Sequence, residues 1–164
     1  MPIIKRIAVL SDTHIPVVAA DLPKAVYQGI AGVDLILHAG DLVELDLLDR
    51  LAAIAPVKAV CGNMDNDRAR GKLPEKEIIT VGPLSIGLIH GRGAPQNLLE
   101  MVSREFQGVN AIIFGHSHTP VNLTRDGILF FNPGSPTDTV FAPYNSYGVL
   151  EIKDSTITGR IIKI

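Results

Sequence analysis

Five short apolar runs in this chain each end, within a residue or two, on a side chain that can bind a metal. Residues 7–10, 35–37, 57–61, 85–89 and 111–114 lead respectively into Asp12 with His14, Asp41, Asn63, His90, and His116 with His118. Their length and β-branched content read as strands. In open α/β sheets, ligands sit beyond the carboxyl ends of the strands, so polar residues stationed there converge although they are far apart in sequence. Four of the five histidines are placed in this way.

The order of elements narrows the architecture. After the first run, Asp21-Leu22-Pro23 can open a helix through Ala25, Val26 and Ile30, with Asp21 as cap or first-turn acid and Pro23 early, where its missing N–H is harmless. After Asp41, Leu45, Leu48, Leu51, Ala52 and Ala55 fit one helical face, and Pro56 ends it. This β-α-β-α-β order predicts a parallel sheet. The second half differs: residues 78–81 and 84–89 flank a Gly-Pro turn, 121–125 and 128–131 an Asp-Gly turn, and 146–152 and 156–163 a third hairpin. Residues 95–106 read as a helix. The expected fold is therefore α/β, becoming antiparallel towards the C-terminus, with two mixed β-sheets packed as a sandwich and helices on the outer faces.

Length and composition exclude several classes. A chain of 164 residues favours one domain, here 1–164, with enough core to need no covalent staples. Cys61 is the single cysteine, so no intrachain disulfide forms, and a reducing, cytoplasmic setting is the expectation. No apolar stretch approaches the length of a membrane span. A net charge of −2 and 5% aromatic residues argue against broad nucleic-acid binding, which calls for basic surfaces and stacking platforms. A phosphate-directed metal site fits both facts, because bound ions bring their own positive charge.

Taken singly, the site motifs are weak. Asp12-x-His14 also fits an Asx turn, Gly40-Asp41 and Gly62-Asn63 ordinary turns, and His90 a core histidine at a strand end. Gly115-His116-Ser117-His118 is more specific, since two histidines two residues apart on a loop can face two different ions. Together they form a mixed oxygen and nitrogen set, unlike the Cys and His pairs of structural zinc. A pair of divalent ions about 3.5–4 Å apart is suited to in-line displacement at phosphorus.

Asp12-x-His14, Gly40-Asp41, Gly62-Asn63, His90-Gly91 and Gly115-His116-x-His118, in this order, resemble the motif set of the calcineurin-like metallophosphoesterases, especially their small bacterial and archaeal phosphodiesterase branch. The resemblance implies a dinuclear metal-dependent phosphodiesterase in which a hydroxide shared by the ions attacks phosphorus. One ion would be held by Asp12, His14 and His118, the other by Asn63, His90 and His116, with Asp41 bridging. Asp41, Asn63 and His90 are the candidate catalytic residues, and a small phosphodiester is the expected substrate. Manganese is the expected metal, with nickel, iron, zinc and magnesium also compatible. Phosphomonoesterase, nuclease and non-catalytic scaffold are the alternatives, and a homodimer is compatible with the pattern.

One position departs from the wider family. Many members carry a histidine after the metal-binding Asn that contacts phosphate or assists the leaving group, and here Met64 stands there. A thioether donates no proton, so esters with good leaving groups are favoured. Asn63 and Arg68 are candidate substrate-binding residues, though Arg68, Arg70 and Lys72, interleaved with Asp65 and Asp67, also fit a solvated loop. Asp65 reads equally as a brace for the Asn63 loop or as a turn former. Residues 132–135, Asn-Pro-Gly-Ser, resemble a loop that borders the site in the small branch, and His38 reads as a packed histidine near Asp41.

Overall fold

The computed structural model describes residues 4–164. Two five-stranded sheets face each other. In the first, β1 (Ile4–Leu10), β2 (Leu35–His38) and β3 (Val57–Ala59) run parallel. A hairpin of β9 (Ser146–Lys153) and β10 (Thr156–Lys163) adds antiparallel on the free side of β1, giving the order β10-β9-β1-β2-β3. The second sheet has the order β4-β5-β6-β8-β7, from β4 (Lys76–Val81), β5 (Leu84–Ile89), β6 (Ala111–Ile113), β7 (Val121–Arg125) and β8 (Ile128–Asn132).

The three expected hairpins are present, yet the second half is less antiparallel than expected. β5 pairs with β6, and β6 with β8, in parallel. The hairpins therefore supply both edges of the second sheet, while its centre repeats the parallel arrangement of the first.

The apolar alternation explains the layers. Ile7 and Val9 of β1 point into the sandwich, where they meet Ile86, Leu88, Ile113 and Phe131 from the opposing sheet. Ala8 and Leu10 face outward onto α1 (Lys24–Gly29) and α2 (Asp46–Ala52), through Val26, Leu47 and Leu51. Both faces of β1 are covered, which is why its sequence is a continuous apolar run. On the outside of the second sheet, Leu98 and Val102 pack on Ile112, Phe114 and Phe130.

Helix limits differ from the expected ones. Asp21 does not cap α1, whose N-cap is Pro23; its carboxylate instead accepts from Tyr27 Oη and an Arg50 guanidinium N–H. Residues 95–106 begin as a 3-10 turn, Pro95–Asn97, before a short α4, Leu98–Ser103. The 67–72 segment forms a helix, Asp67–Lys72, here α3, because Asn66 Oδ1 accepts from the Ala69 N–H and caps it. Among the described residues no helix is long and apolar enough to cross a membrane.

Phe131 is fully buried between the sheets, and a Cβ at Gly148 or Gly159 would overlap its ring. The two glycines make room for the largest side chain at the centre. Phe131→Ala is therefore expected to lower unfolding free energy by about 3–5 kcal/mol in denaturant titrations; a loss below about 1 kcal/mol would mean that the core closes over the gap.

Candidate metal centre

The loops leaving β1, β2, β3, β5 and β6 meet at one end of the sandwich. Their backbone is unusual. Asp12, His14, Asp41, His116 and His118 all adopt positive φ, between 47° and 73°, a region that costs a non-glycine residue on the order of 1–3 kcal/mol. Such geometry persists only where surrounding contacts over-determine it. Gly62 and Gly115 permit the close approach: a Cβ on the first would collide with the Asp41 carboxylate, and one on the second with Ser11 and Asp12.

Asp12 lies at the centre and is completely buried. Its Oδ2 accepts from Ser11 Oγ at 2.7 Å and from the His116 backbone N–H at 3.0 Å. Its Oδ1 has no hydrogen-bond partner, and neither does the buried Nε2 of His14. Around that oxygen stand His118 Nε2 at 3.3 Å, His90 Nε2 at 3.8 Å and His14 Nε2 at 3.9 Å. Asp41 Oδ2 lies 3.2 Å from His90 Nε2 and 3.7 Å from His14 Nε2. Asn63 Oδ1 is 3.1 Å from His90 Nε2.

These atoms form two overlapping groups, Asp12-His14-His118 and Asp12-Asp41-His90, each with all its donors within 4.8 Å of one another. Two buried carboxylates this close call for positive charge between them. A donor set of carboxylate oxygen, imidazole nitrogen and amide oxygen, with two atoms lacking any partner, fits a borderline divalent cation.

Backbone and carboxylate partners orient the rings. His90 Nδ1 donates to the Ala39 carbonyl at 2.7 Å, leaving Nε2 for the centre. His118 Nδ1 is 2.6 Å from Asp138 Oδ2, which likewise frees its Nε2. His116 differs: Nε2 donates to the Gly93 carbonyl at 2.9 Å, so Nδ1 is its free donor atom, and its ring stands edge-on to that of His90 with centroids 5.3 Å apart. Neither compact group includes His116.

Asp138 was invisible as a site residue in the sequence. It lies near the middle of the β8–β9 loop and pairs with His118, while accepting the backbone N–H groups of Val140, Phe141 and Ala142. The 132–135 loop does border the centre: Asn132 Nδ2 donates to the Gly115 carbonyl, and Ser135 Oγ to that of Asp12. Asp65 is a brace rather than a turn former alone, since its carboxylate accepts the N–H groups of Asp41, Val43 and Gly62 and joins the β2 and β3 loops. His38 is buried between the Thr13 hydroxyl and the Gly40 N–H, and burial pushes its pKa down to about 4. Arg68 is exposed on α3 and does not line the cavity; Arg70 instead holds the Asn63 and Asp65 carbonyls.

The field within the centre is strong. Burial would raise the Asp12 carboxyl, but the surrounding imidazoles of His118, His14 and His90 outweigh it and hold it well below the usual carboxylate range. Burial would lower His90 and His118, yet the adjacent carboxylates prevail: Asp41 and Asp12 push His90 up to about 9, and Asp12 and Asp138 do the same for His118.

Residues 6–155 match the sequence profile of the calcineurin-like phosphoesterase superfamily domain. A probable metallophosphoesterase of Methanocaldococcus jannaschii is 43% identical over 164 residues, 96% of this chain and 81% of that protein. Among solved structures, wild-type Vps29 of Entamoeba histolytica complexed with zinc has a TM-score of 0.73 at 26% identity, covering 96% of this chain and 98% of the other. A novel archaeal phosphodiesterase has the same fold, with a TM-score of 0.74 at 22% identity over 96% of this chain and 99% of the other.

Without metal, His90 and His118 retain protons up to about pH 9, and an ion must displace them. Calorimetric titration with manganese or zinc near pH 7.5 is therefore expected to release protons, seen as a heat that depends on the buffer, with affinity rising towards pH 9. The stability these two histidines contribute to the metal-free fold has the opposite sense: it is complete below their ordinary value of 6.5 and is lost as pH rises through 9. A buffer-independent heat would contradict the protonated metal-free site.

Proposed function

The chain belongs to the calcineurin-like phosphoesterase superfamily, and from that premise we propose that it is a dinuclear metal-dependent phosphodiesterase. The observation that carries the proposal is the position of Asp41, whose Oδ2 lies between His14, 3.7 Å away, and His90, 3.2 Å away. A single carboxylate oxygen so placed can serve both ions. Asp12, His14 and His118 would hold one ion, and Asn63, His90 and His116 the other. Manganese is the metal we favour, within a donor set that also accepts nickel, iron, zinc or magnesium.

When bound, two divalent ions make water nucleophilic near neutral pH and offset the charge that develops at phosphorus. The protein's own residues determine what reaches that centre. Asp65 and Arg70 hold the backbone of the Asn63 loop, and the Asn63 amide oxygen lies beside His90 Nε2. Asp138 holds the His118 ring in one orientation, the type of support whose loss costs about 10–100-fold in metal affinity or activity. No lysine or arginine lines the cavity over the centre. The adjoining cavity, which shares Asn63, holds Arg70, Lys76 and Arg92, but Lys76 and Arg92 pair with Glu105 and Arg70 with backbone carbonyls, so a singly charged diester suits the centre better than a dianionic monoester. Met64 lines the same cavity and cannot donate a proton, which favours esters whose leaving oxygen is weakly basic.

Metal analysis of the purified protein, followed by a panel of aryl phosphate mono- and diesters with manganese, nickel, zinc and magnesium, tests the proposal. Diester hydrolysis exceeding monoester hydrolysis is expected. Preferred monoester hydrolysis would indicate a phosphomonoesterase, and no hydrolysis with any ion would indicate a non-catalytic scaffold. Asp41→Asn is expected to weaken both ions and reduce turnover by at least about 100-fold; wild-type turnover with full metal content would remove Asp41 from the bridging position.

A further inference from the structure

The cavity above the metal centre, about 450 Å³, has two unlike parts. Its floor is polar, made by His14, Asp41, Asn63, His116 and His118. Its rim is apolar: Val17, Val18, Met64, Val140 and Phe141 all line it. These five are exposed by 70%, 48%, 52%, 76% and 76%, and they account for most of the large apolar side chains that the described residues leave in solvent. Single exposed apolar residues need no explanation, but a ring of five around one polar floor does.

The rim is built on the elements that carry the floor. Val17 and Val18 follow His14 by three and four residues, and the Val18 N–H donates to the His14 carbonyl at 2.8 Å. Met64 follows Asn63 directly, and its N–H donates to Asp41 Oδ1 at 2.7 Å. Val140 and Phe141 donate their N–H groups to the Asp138 carboxylate, at 2.8 and 3.0 Å, while the same carboxylate holds His118. The Phe141 ring stands edge-on to the His118 ring with centroids 6.1 Å apart. The backbone of the rim is thus tied to the residues that form the floor.

Resting on the phosphodiesterase proposal, we propose that this rim is a specificity subsite for an apolar ester arm, so that the substrates are monoanionic phosphodiesters carrying an aromatic or alkyl group on the oxygen that is retained. Charge complementarity selects this occupant. This lining has no lysine or arginine, and the Arg70, Lys76 and Arg92 of the adjoining cavity are engaged with backbone carbonyls and with Glu105, so the rim itself gives a polyphosphate or a strand of nucleic acid no cationic anchor. A diester places its one charge on the metals and its apolar arm on the rim, where apolar surface of both partners leaves water. Phe141 offers an aromatic arm an edge or face at the cavity mouth.

The test compares two substrates with the same leaving group, phenyl p-nitrophenyl phosphate and methyl p-nitrophenyl phosphate, on the metal-loaded protein. The phenyl ester is expected to have a kcat/KM at least about tenfold higher, mainly through KM. Diphenyl phosphate, with poor leaving groups, is expected to inhibit more tightly than dimethyl phosphate by a similar factor. In Phe141→Ser and Val17→Ser both ratios should fall towards one, while Ile78→Ser, an exposed apolar position on β4 outside the cavity, should leave them unchanged. Equal rates for the two esters in the wild-type protein would overturn the subsite and leave the phosphodiesterase proposal standing. No hydrolysis of either ester would overturn both. If Phe141→Ser instead converted a dimer to a monomer in sedimentation while the ratios held, the rim would be a contact between copies of the chain, and the subsite would again be overturned.

Discussion

A carboxylate removed from water is costly unless other groups compensate for it, and Asp12 is removed completely. It lies two residues beyond the central strand of the first sheet, yet one of its oxygens is satisfied by the backbone of His116, on a loop of the second. Its main-chain carbonyl accepts from Ser135, beyond β8. One residue therefore ties together the two layers and the loop that braces them. The oxygen left unpartnered faces three imidazoles, so the same burial that joins the sheets creates a demand for positive charge at their shared end.

The strain in the loops follows from that demand. Five site residues take left-handed backbone conformations because their side chains must turn back over strand ends towards one point. Glycines 62 and 115 yield the space, and Asp65 and Asp138 fasten the turns by gathering backbone N–H groups. Rigidity is expected of such a centre, since ligands held before an ion arrives lose little freedom when it binds. The cavity above it derives its shape from the same loops, which is how the apolar rim and polar floor come to be one unit.

Much of this was legible in the sequence. Strands buried on both faces must be continuously apolar, and the polar residues that interrupt them at a fixed end stand out for that reason. Asp12, His14, Asp41, Asn63, His90 and His118 converge as their positions at strand ends require. What escaped has a physical reason in each case. Asp138 sits in a loop without periodicity, 20 residues after the histidine it orients, and only the folded chain joins them. Helix α3 depends on a single capping side chain, Asn66, in a segment whose alternating charges resemble a solvated loop. Arg68 and Arg70 are alike in sequence, and about half a turn of α3 decides that Arg70 braces Asn63 while Arg68 faces solvent. The apolar rim was hidden because its members are scattered valines, a methionine and a phenylalanine that share nothing until the loops close.

The central claim is that two ions share Asp41. Anomalous diffraction from crystals of the manganese-loaded protein, recorded at the metal edge, tests it most directly. Two peaks about 3.5–4 Å apart, both within bonding distance of the Asp41 carboxylate, are the expected result. A single peak, or two that Asp41 does not join, would contradict the account.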